Sequence, residues 1–159
     1  MKKILLVAVA LMGLIFTGCG EGSKANPLIK GVVGEWHMTK SSIVTSTAVK
    51  EAVDVYIEFK ADNTFELYQR HFTEPLYYQH YSGTYLITGD VISGKYSDGK
   101  SWGAANGYTA TLDAEGKLTL VNVDFTDDAS VFTKETIPAA VKEATRAAAT
   151  AETEPTRFL

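Results

Sequence analysis

The sequence predicts an all-β fold: eight antiparallel strands joined up-and-down and closed into a barrel, followed by a C-terminal α-helix. Three observations predict it. Apolar and polar residues alternate with period two in segments of strand length, most clearly at Val53–Lys60 and Thr64–Arg70. Turn-forming residues punctuate the chain at hairpin spacing. Fifteen of the seventeen aromatic residues lie between Trp36 and Phe132, which places a single core. A two-sheet sandwich is the structural alternative.

The elements follow in order. Gly34–Val44 is the first strand, and Ser46–Val53 reads either as a short helix at one rim or as an exposed loop. In Val53–Lys60, Val55, Ile57 and Phe59 share one face, while Asp54, Tyr56, Glu58 and Lys60 share the other. Ala61-Asp62-Asn63 is turn chemistry, and Thr64–Arg70 returns with Phe65 and Leu67 inside. Pro75 breaks the next stretch, because proline has no N–H for a strand ladder. Tyr77–Ile87 then resumes, with Tyr81, Gly83, Tyr85 and Ile87 on one face. Thr88-Gly89-Asp90 leads into Val91–Tyr96, Asp98-Gly99 into Trp102–Leu112, and Asp113–Gly116 into Lys117–Val123. Ser130–Thr136 ends the series, so the barrel is expected over residues 31–136. From Pro138 the chain turns to alanine-rich helix formers, which predict a helix over residues 137–150. Residues 151–159 carry no periodic signal and are expected to be a disordered tail.

Ahead of the barrel, Lys2-Lys3, an apolar run from Ile4 to Phe16 and then Thr17-Gly18-Cys19 have the order of a secretory signal peptide. The run is too short for a transmembrane helix, which needs about 20 apolar residues. Phe16-Thr17-Gly18-Cys19 resembles the lipobox of bacterial lipoproteins. The resemblance implies removal of residues 1–18 and acylation of Cys19, the only cysteine. One acyl chain binds a membrane marginally and several anchor stably, so the membrane itself is an expected partner. The implied location is the bacterial cell envelope, and Gly20 in place of aspartate favours the outer membrane by that family's sorting rule. Residues 19–30 then form the lipidated amino terminus and a small, polar, flexible tether.

The whole chain carries a net charge of −4, and loss of Lys2 and Lys3 with the leader takes it to −6. No basic run tracks phosphates, which excludes nucleic acid as a partner. With its cysteine acylated the mature chain has no disulfide, so stability must come from the hydrophobic core of one ordinary domain.

Gly34-Glu35-Trp36 opens the first strand as the Gly-x-Trp motif of lipocalins does. The stretches Tyr56–Phe65 and Ser82–Asp90 resemble the small lipocalin-like domains of Bacteroides-type lipoproteins, and the resemblance spans about residues 31–135. It implies an eight-stranded barrel, sometimes a bound apolar molecule, and no shared chemistry. The sequence departs from secreted animal lipocalins in lacking disulfides and the second, arginine-bearing motif. The resemblance implies that Lys134 takes the place of that cation, packed over the Trp36 ring.

The residues do not assemble a catalytic set. There is no Gly-x-Ser-x-Gly elbow and no free cysteine nucleophile. His37, His71 and His80 lack metal-site spacing, and strand parity puts His71 and His80 on opposite faces. Asp124, Asp127 and Asp128 lack the loop of a calcium site and read as a solvated turn. Glu58 and Glu66 point outward and read as surface charge. No enzyme activity, metal or cofactor is therefore expected.

The aromatic residues carry the functional expectation. Phe59, Phe65, Leu67, Tyr81, Tyr85, Tyr96 and Tyr108 are the candidate lumen, apolar with a few hydroxyls, as suits a small apolar or amphipathic ligand. The same side chains also suffice to fill a small barrel. In the alternative reading the barrel is a filled scaffold that binds another envelope protein or a glycan-handling complex. The outward Tyr56, Tyr68 and Tyr78 would then form the partner face.

Overall fold

The computed structural model describes residues 31–42, 44–45, 48–49, 53–71, 77–143, 146–147 and 157–159. The signal segment 1–18, Cys19 and the tether up to residue 30 lie outside the described residues. In chain order the elements are β1 (Gly34–Ser42), β2 (Val44–Thr45), β3 (Ala48–Val49), β4 (Val53–Phe59), β5 (Thr64–His71) and β6 (Gln79–Thr88). There follow β7 (Val91–Tyr96), β8 (Tyr108–Leu112), β9 (Leu118–Asn122), β10 (Ala129–Lys134), α1 (Ala139–Glu143) and β11 (Arg146–Ala147).

Eight strands close into an antiparallel up-and-down barrel in the order β1-β4-β5-β6-β7-β8-β9-β10. β10 returns to pair with β1, from Trp36 opposite Lys134 to Ser42 opposite Ala129. That pairing removes the edges a sandwich would leave exposed. The one break in the β1–β10 register lies between Met38 and Lys40, where Thr39 is the extra residue of a bulge.

Period-two alternation becomes a set of inward tiers. Trp36 opposes Ile57, which opposes Leu67, which opposes Tyr81. One tier away, Phe59 opposes Phe65, which opposes Gly83, which opposes Tyr96. Gly83 is required there: a Cβ would fall 2.0 Å from the Lys95 carbonyl oxygen and 2.8 Å from the Phe65 ring. Gly94 serves Trp102 in the same way, since a Cβ would meet the indole at 2.2 Å. Gly94→Ala should therefore overpack the wall and cost about 1–3 kcal/mol. Urea unfolding would measure the loss, and an unchanged midpoint would mean that Trp102 can shift freely.

The floor of the barrel is closed locally. Val32 is buried just before β1, and its carbonyl accepts the Trp36 indole N–H at 2.7 Å. Lys134 Nζ lies 5.3 Å from the Trp36 ring centroid, the cation–π geometry implied by the lipocalin resemblance. At the hairpin between β4 and β5, Asn63 adopts a left-handed φ of 65°, and Asp62 accepts the Thr64 N–H at 3.0 Å.

Several expectations need correction. The expected strand Trp102–Leu112 starts only at Tyr108, because Trp102 and Ala104 turn inward from an irregular loop. Of the two readings of Ser46–Val53, a short helix or an exposed loop, the helix does not hold at the positions described there, where Ala48–Val49 joins Val44–Thr45 in the two-residue ladder β2–β3. Its valines and threonine favour extended structure. The expected helix over 137–150 shortens to α1, after which β11 pairs parallel with Gln79 and His80 of β6. β7 reaches only Gly83 on that strand, which leaves this edge for β11. Finally, residues 151–159 are not a disordered tail throughout, because Phe158 and Leu159 are buried in the main core.

The helix explains a further correction. Ile137 and Val141 pack on Tyr56 and Tyr68, which are 7 % and 8 % exposed, so these tyrosines form a second small core instead of an open partner face. Glu35 ties the helix to the barrel: it accepts the Ile137 N–H at 3.0 Å and the Lys142 ammonium at 2.7 Å. Partial burial raises the Glu35 pKa, but these two hydrogen bonds outweigh it and hold the carboxyl below its ordinary value.

Candidate lumen site

All seven candidate lumen residues meet in one core. Phe59, Phe65 and Leu67 are fully buried, and Tyr81, Tyr85, Tyr96 and Tyr108 nearly so. The aromatic rings engage edge to face: Phe59 on Tyr85 at 5.0 Å, Phe65 on Trp102 at 5.2 Å, and Tyr81 on Tyr96 at 5.8 Å. Burial pushes the phenols of Tyr96 and Tyr108 far above their ordinary pKa, so both are neutral donors at any physiological pH.

The hydroxyls divide the barrel into two ends. Near the floor, the Tyr85 hydroxyl donates to the Lys60 carbonyl at 2.7 Å, a bond internal to the barrel wall. At the opposite end, the mouth, the polar groups turn to residues 157–159 instead. The Tyr96 hydroxyl donates to the Leu159 carbonyl at 2.7 Å, and the Phe158 N–H donates to Gln69 Oε1 at 2.8 Å. The Phe158 ring meets Phe132 edge to face at 6.2 Å. Outside them, the Arg157 guanidinium lies 4.4 Å from the Tyr96 ring centroid and 4.8 Å from that of Tyr81. It grips Asp98 with two nitrogens, at 3.1 and 2.7 Å, and this hydrogen bonding holds the Asp98 carboxyl down at about 2.

Gln69, Gln79, Asp98 and Arg157 were missed in the sequence reading. Gln69 has the parity of Phe65 and Leu67, and Gln79 that of Tyr81 and Tyr85, so the alternation did place two amides inside the wall. Their side chains are joined, Gln69 Nε2 donating to Gln79 Oε1 at 3.3 Å. A buried amide in a β-barrel costs free energy unless it is hydrogen-bonded, and here the C-terminal segment completes that bonding. No sequence signal paired Arg157 with Asp98.

The other singled-out residues stay on the outer wall. His37 stacks on Tyr56 at 4.1 Å and 7°, and its ring nitrogens lie 3.0 Å from Glu135 Oε2 and 2.9 Å from Asp54 Oδ1. His80 stacks on Tyr68 at 4.8 Å and bonds Glu66, which also takes Lys60. Glu58 and Glu66 are direct cross-strand neighbours on this face. The His71 side chain lies outside the described residues. Asp124 and Asp128 accept hydrogen bonds from Asn106 and Asn122, which stabilises the β9–β10 turn. Two shallow, open grooves of about 360 and 460 Å³ run along β6 and β7, and they enclose nothing.

The arrangement, an apolar and aromatic interior with polar groups gathered at its mouth, is consistent with ligand binding. No curated protein matches the sequence. Residues 32–120, more than half of the chain, match the family model described as the lipocalin-like domain, and the chain belongs to that family.

Proposed function

We propose that this protein is a lipid-anchored, non-catalytic binding protein of a bacterial envelope, whose barrel takes a small apolar or amphipathic ligand through its mouth. The observation that carries the reading is that the mouth already holds an amphipathic guest, the chain's own residues 157–159, through aromatic and polar contacts together. The outer tyrosines give the scaffold alternative less support, since α1 covers Tyr56 and Tyr68.

Native mass spectrometry of the detergent-solubilised protein, purified from its own host, tests the binding reading. A reproducible added mass that vanishes on denaturation is the expected result. Its consistent absence, with no thermal shift across panels of lipids and hydrophobic compounds, would remove the ligand. The anchor is tested separately. Cys19→Ser should abolish incorporation of a clickable palmitate analogue, because the acyl chains of a lipoprotein attach at this cysteine. Undiminished incorporation of the label would refute lipidation at Cys19. Fractionation of inner from outer membranes would check the outer-membrane assignment, which rests on Gly20.

A further inference from the structure

We propose that the mouth of the barrel is a peptide-binding site that reads an arginine followed by an aromatic and an aliphatic residue, and that residues 157–159 are an exchangeable internal occupant of it. This inference rests on the binding reading above and names the ligand class. The contacts resemble those of a complex more than those of a core. The polar and aromatic features of the segment each have their own partner, and the Leu159 side chain is buried in the core. Asp98 and the rings of Tyr81 and Tyr96 take the arginine head. Gln69 accepts a backbone N–H, and the Tyr96 hydroxyl donates to a backbone carbonyl. Phe132 meets the aromatic side chain. A purely apolar guest would meet Phe132 but make no use of Asp98, the Tyr96 hydroxyl or Gln69 Oε1, so the site favours a guest that carries an arginine and a peptide backbone.

Two further observations make the occupant separable. The eight strands close on one another without residues 157–159, which belong to no strand or helix. The segment also follows well after the last strand of the ring, β10, which ends at Lys134, so the barrel and its guest are distinct parts of the chain. An internal ligand of this kind competes with any external one through its high effective concentration, and an incoming peptide must displace it.

The test is peptide binding in trans. A fluorescently labelled synthetic peptide of residues 150–159 is titrated by anisotropy into the full-length protein and into a chain ending at residue 156, with circular dichroism confirming that both are folded. The shortened chain should bind saturably, and the intact protein at least about tenfold more weakly, because its own segment competes. In the shortened chain, Asp98→Asn should weaken binding several-fold, as should replacing the peptide's arginine by glutamine. Should the shortened chain not fold, Phe158→Ala in the full-length protein loosens the segment and must itself admit the labelled peptide. The proposal is overturned by a folded, shortened chain that binds no peptide. Equal affinity of the intact and shortened chains, or indifference to the arginine, overturns it too. The neutral dye N-phenylnaphthylamine separates this failure from that of the broader reading. A dye that binds inside a shortened chain refusing the peptide leaves the ligand-binding function standing and removes the peptide class, whereas refusal of both removes both.

Discussion

Trp36→Ala should cost about 3–5 kcal/mol, a large part of the 5–15 kcal/mol that holds a domain of this size together. Three losses coincide at this position. The fully buried indole leaves a cavity at the barrel floor, the Val32 carbonyl loses its donor, and Lys134 loses the ring beneath it. Trp36→Phe keeps most of the volume but not the N–H, and should cost roughly 1–2 kcal/mol. Urea unfolding followed by far-UV circular dichroism would measure both variants. A loss below about 1 kcal/mol for the alanine variant would show that the floor repacks without the indole.

Alkali should unfold the barrel steeply. Tyr56, Tyr68, Tyr78, Tyr85, Tyr96 and Tyr108 all have pKa values raised above 10.0, with burial the leading cause in each case. The sign follows from linkage. The folded protein holds these protons more tightly than the unfolded chain does, so their stabilisation is fully present below about pH 10 and is lost as pH rises toward the folded-state values. Tyr96 and Tyr108, the most strongly shifted of those inside the barrel, should ionise only as the chain opens. Phenolate absorbance and near-UV circular dichroism recorded in one titration check this. Coincident transitions are expected. Full ionisation of the tyrosines with the tertiary signal intact would show that water already reaches the lumen.

Much of the barrel was legible because strand parity is a local property. Val55, Ile57, Phe59, Phe65, Leu67, Tyr81 and Tyr85 alternate along their own segments, and closing the ring changes none of their faces. What escaped the sequence depended on contacts between distant segments. Tyr56 and Tyr68 have outward parity, and only the return of Ile137 and Val141 covers them. The alanine-rich stretch has helical propensity to residue 150, yet a free edge on β6 captures Arg146 and Ala147 as strand. Residues 157–159 show no periodicity at all, because what holds them is a set of individual partners in the barrel mouth. The candidate lumen was thus readable as a face of the wall, and its occupant was not.

The pairing of β1 with β10 also sets a timetable. Trp36 and Lys134 are neighbours in the ring although almost a hundred residues separate them in the chain. The hairpins β4–β5, β5–β6 and β6–β7 can zip as soon as they are made, since each joins consecutive strands. The ring itself stays open until residues 129–134 have been synthesised, and the loop-closure entropy of that last seam is met only then. Folding should accordingly run on the slow, millisecond-to-second scale of all-β domains, with the β1–β10 seam the last pairing to form although β1 already has β4 on its other side.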